Sequence, residues 1–253
     1  TKKGEVRSTD EDRVNCAKNY QIHLQKAMSG DSSAKIHGKR CTVGELVKDA
    51  LSAPNEGPVY NTINQQWESN RGNNMAMENA PMVAMVDTSG SMEIDDSTPL
   101  YNAVGLGVRV SELCHPAFRN RVMSFNSVPT WLRFDEMATP VQKIKKCRTM
   151  SWGTSTNFML AIEKILKALV DADVPPSEVR NLILACFSDM QFDCECSNGG
   201  IFDTAQEKIG TMFALAGLKT SHRRAYDPPH LLFWNLRKTT GFPSTAFSKN
   251  VTY

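Results

Sequence analysis

The sequence predicts an α/β protein: a doubly wound, mostly parallel sheet with helices on both faces and a short helical N-terminal arm. Three observations predict this class. Met82–Val86 and Asn181–Phe187 are short, wholly apolar runs, the pattern of strands buried on both faces of a sheet. From Pro81 onward such runs alternate with amphipathic helical stretches, the order expected of β-α-β units. Residues 1–80 lack that alternation and are polar.

In chain order, Glu11–Met28 predicts a helix with an imperfect apolar stripe of Val14, Ala17, Ile22, Leu24 and Ala27. Thr42–Leu51 predicts a second helix, because Thr42 and Glu45 have capping-box spacing. Pro54, Gly57 and Pro58 then break the chain, and residues 68–80 are Asn-rich without a period, so residues 1–80 are read as arm and linker. Met82–Val86 is the first strand. Pro99–Cys114 carries Leu100, Ala103, Val104, Gly107, Val108 and Ser111 at helical spacing, with Ser97 or Thr98 as cap and Pro99 at the first helical position. Gly105 and Gly107 lie inside that helix, where they permit close packing. Arg121–Phe125 and Thr130–Phe134 predict two strands around Pro129. Asn157–Val170 predicts a strongly amphipathic helix through Phe158, Ala161, Ile162, Ile165, Leu166 and Leu169. Asn181–Phe187 is a buried strand, Thr204–Leu218 a helix and Leu231–Leu236 a strand, joined by right-handed crossovers.

Composition narrows the class further. Of 253 residues, 41% are apolar and 22% charged, which argues for a globular protein and against collagen, a coiled coil or disorder throughout. Twenty-nine basic residues against 27 acidic ones leave a formal charge of +2, so no global field draws the chain onto nucleic acid or anionic lipid. No apolar run approaches the ~18–20 residues of a bilayer span, so no membrane association is expected. The seven cysteines are odd in number and scattered in spacing, which points to a reducing, cytoplasmic compartment rather than a disulfide framework. The chain begins at Thr1, not Met, and is expected to be a piece of a longer protein.

In open α/β sheets, ligands bind outside the carboxyl ends of the strands. After the first buried strand stands Asp87-Thr88-Ser89-Gly90-Ser91, and after the second stands Ser188-Asp189. Before the 157–170 helix runs Trp152-Gly153-Thr154-Ser155-Thr156-Asn157. Two carboxylates and three or four hydroxyls are hard oxygen ligands, suited to Mg²⁺, Mn²⁺ or Ca²⁺ and not to zinc, with octahedral geometry and retained water favouring Mg²⁺. With only two negative charges, such an ion keeps a position that accepts a carboxylate from a partner. No G-x-S-x-G, phosphate-binding loop or G-x-G-x-x-G occurs, and no His stands near Ser89 or Ser91, so a catalytic role is not expected.

Asp87-x-Ser89-x-Ser91 after an apolar strand, a later Thr and an Asp ending another buried strand resemble the metal-ion-dependent adhesion site of von Willebrand A-type domains, which have a Rossmann-like fold. The segments PLYNAVGLGVRVSEL, MSWGTSTNF, CFSDMQF and HLLFWNLRK resemble those of an uncharacterised family of A-type-domain proteins in plants, fungi and large DNA viruses. That family is similar in this domain to the Ro (TROVE) ribonucleoprotein autoantigen. The resemblance covers residues 80–253, with a weaker match over 36–51. It implies that Ser89 and Ser91 ligate the ion directly, that Thr156 is the second-loop ligand, with Thr154 as runner-up, and that Asp87 and Asp189 act directly or through water. Asn157 replaces an Asp usual in the family. The resemblance also implies a final strand and closing helix, of which residues 250–253 hold only the start of the strand, so that 81–253 is an A-type domain lacking its last strand and helix.

The implied function is a metal-dependent protein-interaction module that binds an acidic residue of a protein partner. The alternative is an RNA-associated, Ro-like component or a viral structural component, the latter located in the virion if the source is viral. Lys143, Lys145, Lys146 and Arg148 form a basic run beside the second loop that offers contacts to phosphate. Cys194-x-Cys196 lacks the spacing of structural zinc sites and reads as free thiols.

Overall fold

The apolar run Met82–Asp87 forms β1, buried along its whole length, and its position at the centre of a six-stranded sheet explains why no polar side chain interrupts it before Asp87. The computed structural model describes residues 8–72, 78–126, 128–150, 157–190, 199–237 and 251–252. The remaining strands are β2 (Arg121–Phe125), β3 (Thr130–Arg133), β4 (Ile183–Ser188), β5 (His230–Asn235) and β6 (Val251–Thr252), in the order β3-β2-β1-β4-β5-β6. All neighbours are parallel except the β2–β3 hairpin. The pairing of Val251 and Thr252 with β5 matches the expectation that a strand starts there. This is a Rossmann-like α/β fold, with its topological switch point between β1 and β4.

The helices are α1 (Glu11–Met28), α2 (Val43–Ser52), α3 (Pro58–Arg71), α4 (Ile94–Leu113), α5 (Pro140–Cys147), α6 (Phe158–Asp171), α7 (Pro176–Val179) and α8 (Gly199–Lys219). Helix α4 covers one face of the sheet. A β-carbon at Gly107 would collide with Cγ2 of Val86, so only glycine lets the helix lie this close to β1. The opposite face lies under α6, where Phe158 packs on Phe233 of β5 with ring centroids 5.8 Å apart. Helix α4 opens irregularly: Asp95, Asp96 and Ser97 take left-handed backbone angles, so its regular turns start at Thr98 and Pro99 as the cap reading anticipates.

One element was not expected: after the break at Pro54 and Gly57 the chain forms α3, with Pro58 as its first residue, a place where its missing N–H costs nothing. Helices α2 and α3 pack onto the sheet. Leu46, Val47, Ala50, Tyr60, Ile63 and Trp67 are buried in the same hydrophobic cluster as the sheet. Gly105 seats α2 on α4, since a β-carbon there would stand 3.0 Å from Cβ of Val43.

A buried charge network fastens this layer. Arg109 of α4 is fully buried, lies 4.2 Å from the centroid of the Trp67 ring, and donates through Nη2 to the Trp67 carbonyl at 2.7 Å. Glu112 accepts from Trp67 Nε1 at 2.8 Å, from Arg109 Nη1 at 3.3 Å and from Lys143 Nζ of α5 at 3.1 Å. One carboxylate therefore ties α3, α4 and α5 together. Removing it strands two buried cations. Glu112→Ala is expected to cost about 3–5 kcal/mol in urea unfolding. A loss under about 1 kcal/mol, the scale of an exposed pair, would show that the network does not hold the layer.

Candidate metal centre

The loops at the carboxyl ends of β1 and β4 meet because the parallel register sets Val86 beside Phe187. Asp87 and Ser188 therefore end their strands side by side, with Asp189 one residue further. Asp87 is fully buried, and both of its oxygens are engaged. Oδ1 accepts the Ser89 N–H at 2.9 Å, and Oδ2 accepts the Ser188 hydroxyl at 2.5 Å. Ser188 Oγ in turn accepts the Met190 N–H at 3.0 Å, which fixes the start of the loop after β4. The Ser89 and Ser91 hydroxyls are hydrogen-bonded to each other, with their oxygens 3.0 Å apart. Asp189 is fully buried, with Nη1 of Arg237, just past β5, 3.7 Å from its Oδ2.

Of the residues picked out by sequence, the structure thus brings Asp87, Ser89, Ser91 and Asp189 to one end of the sheet. Thr156 and its runner-up Thr154 lie outside the described residues, as do Cys194 and Cys196. Asn157 caps α6 by accepting the Leu160 N–H at 3.0 Å, and its own N–H donates to the Asn126 carbonyl at 3.2 Å. Asn126, which the sequence reading passed over, is buried after β2 and also donates through Nδ2 to Thr88 Oγ1 at 3.3 Å. It links the first loop to the end of the second, through hydrogen bonds to residues 38 and 31 positions away in the chain. Ser188 was visible as part of Ser188-Asp189, but its role as the donor to Asp87 depends on a partner 101 residues away.

The basic run is corrected. Lys143 is buried and paired with Glu112, not open to phosphate. Lys145 Nζ donates to the Ala53 carbonyl at 2.7 Å and to Asn55 Oδ1 at 2.7 Å, which commits it to the end of α2. Lys146 and Arg148 are exposed at the end of α5, where positive charge suits the helix dipole.

Burial pushes the Asp87 carboxyl up to about 6, opposed by the hydrogen bonds from Ser188 and Ser89 and reinforced by the charge of Asp189. Two buried carboxylates within electrostatic reach are a site that a cation would relieve. The donors present fit a hard divalent ion, being oxygen only. Among the described residues no group of three or more His, Cys, Asp or Glu forms a ligand cluster, and the serine hydroxyls are the further oxygen donors beside the two carboxylates. At Mg–O distances of ~2.1 Å, adjacent corners of an octahedron are ~3.0 Å apart, which matches the separation of the Ser89 and Ser91 oxygens.

Residues 81–253 match the family described as domain of unknown function DUF7788. The chain belongs to that family. It is also 30% identical over 241 residues to an uncharacterized protein, L728, of Acanthamoeba polyphaga mimivirus, a match covering 94% of this chain and 38% of the viral protein. The chain thus spans well under half the length of that relative. Among the described residues, no helix of this DUF7788 protein is long and apolar enough to cross a membrane.

The Asp87 environment has a measurable sign. Its folded value of about 6 lies above the ordinary 3.8, so the folded state holds the proton more tightly. The favourable contribution is present below pH ~4 and is lost as pH rises through ~6, by about 3 kcal/mol. In metal-free buffer, the stability of wild type minus that of Asp87→Asn is expected to fall by that amount between pH ~4 and ~7. Urea unfolding across the range measures it, and a pH-independent difference contradicts the burial of a titrating Asp87.

Proposed function

We propose that this chain is a metal-dependent protein-interaction module of the von Willebrand A type, whose ion binds an acidic side chain of a partner protein. Ser89 and Ser91, with Thr156, would hold the ion, and Asp87 and Asp189 would balance its charge directly or through water. Mg²⁺ fits best, with Mn²⁺ and Ca²⁺ as substitutes. Bound, the ion supplies a Lewis-acid position that takes a carboxylate oxygen. The chain's own residues orient and tune that position. Ser188 holds Asp87, Asn126 steadies the two loops, and Arg237 faces Asp189.

The observation that carries this reading is the convergence of Asp87, Ser89, Ser91 and Asp189 at the switch point, where the hydrogen-bonded serine hydroxyls also stand close enough to serve as neighbouring ligands. The fold supports it, since open α/β sheets bind ligands there. The arrangement is read as binding rather than catalytic, because the buried Asp87 is tied up by Ser89 and Ser188 and is not poised as a base toward solvent. The RNA-associated alternative loses two of its four proposed contacts to the internal pairing of Lys143 and Lys145.

Calorimetry with Mg²⁺ and with Mn²⁺ tests the proposal. Wild type is expected to give a saturable heat, and Asp87→Ala is expected to weaken binding by roughly 10–100-fold. Equal heats from the two proteins would overturn it.

A further inference from the structure

Arg237 is a positive side chain set at the edge of a centre that itself suits a cation. The backbone fixes its place. Strand β5 pairs with β4 in parallel as far as Ser188 opposite Asn235, and the Leu236 N–H continues the ladder by donating to the Ser188 carbonyl at 2.9 Å. The Arg237 N–H then donates to Asn235 Oδ1 at 3.0 Å, which turns the chain past the strand end. Asp189, one residue past β4, therefore meets the side chain that stands two residues past β5.

The contact between them is electrostatic and unfinished. Arg237 Nη1 lies 3.7 Å from Asp189 Oδ2, beyond the roughly 2.7–2.9 Å of a charge-assisted hydrogen bond. A guanidinium carries a planar fork of N–H donors, and among the described residues this one donates no hydrogen bond. The Asp189 side chain is fully buried, whereas that of Arg237 is 25% exposed. The fork thus reaches from solvent to a buried carboxylate with its donors idle. In the metal-free chain its charge offsets the repulsion between Asp189 and Asp87. Beside a divalent ion the same guanidinium becomes a like charge, so that ion and guanidinium compete for one carboxylate. An incoming carboxylate relieves that conflict, because one of its oxygens can face the ion and the other the arginine fork.

We propose that Arg237 is a partner-recognition residue of this centre: it is the counter-ion of Asp189 in the metal-free chain, and it gives its idle N–H donors to the partner's carboxylate when an ion takes Asp189. Ion and acidic partner then bind cooperatively, each raising the affinity of the other by the same factor. This assignment rests on the metal-centre reading and deepens it.

Calorimetric titration of the whole chain with Mn²⁺ tests it in wild type, Arg237→Gln and Arg237→Lys, each in chloride and in sodium acetate of equal ionic strength. In chloride, Arg237→Gln is expected to bind Mn²⁺ roughly tenfold more tightly than wild type, because a neighbouring like charge is gone, and Arg237→Lys to stay within about threefold of wild type. Acetate, the carboxylate probe, is expected to tighten Mn²⁺ binding to wild type relative to Arg237→Gln. Thermal unfolding reads the same sign: Mn²⁺ raises the midpoint further in Arg237→Gln than in wild type, even where the metal-free variant is marginal. Arg237→Gln binding Mn²⁺ no more tightly than wild type, or acetate acting equally on both, would overturn this assignment and leave the metal centre standing. No saturable Mn²⁺ heat in any of the three proteins would overturn the metal-centre reading and this assignment together.

Discussion

Parallel pairing of β1 with β4 is the constraint on which the rest of this structure depends. The two strands are apolar until their last residues, and their register brings the polar ends level. Asp87 and Ser188 then have no choice but to meet, and the carboxylate is desolvated in a place where only hydroxyls and backbone N–H groups answer it. The electrostatic tension between Asp87 and Asp189 is thus a product of sheet topology and not of a local motif. The serine loop adds oxygen donors at the same point, because the turn after β1 is pinned to Asp87 by the Ser89 N–H.

Helix α4 transmits that constraint outward. It begins at the serine loop, lies against β1 through Gly107, and receives α2 through Gly105 on another side. Close approach on both sides leaves its polar residues little room, so Arg109 and Glu112 must be paired internally, and Trp67 and Lys143 complete the pairing. Helices α2 and α3 are therefore part of the core, and the family domain at 81–253 is packed against them.

The sheet was legible in the sequence because strands buried on both faces are apolar without alternation, and the loops of the candidate site were legible because they follow those strands. The glycines of α4 were read correctly as sites of close packing. Helix α3 was missed although Tyr60, Ile63, Trp67 and Asn70 form a buried stripe at helical spacing. Its Asn- and Gln-rich outer face dilutes the apolar signal, and Pro58 reads as a break when it is a start. Lys143 was misread for a different reason. Its partner, Glu112, lies 31 residues away, and a charge run gives no sign of which member turns inward. Asn126 and Ser188 act through non-local hydrogen bonds, which no local pattern encodes.

The most direct measurement of the central claim is anomalous diffraction from crystals of this chain equilibrated with Mn²⁺. The account predicts a peak at the carboxyl ends of β1 and β4, with Oγ of Ser89 and Oγ of Ser91 as neighbouring ligands at ~2.1–2.2 Å. A peak elsewhere alone, or a well-ordered loop at Asp87–Ser91 with no anomalous signal at saturating Mn²⁺, would contradict it.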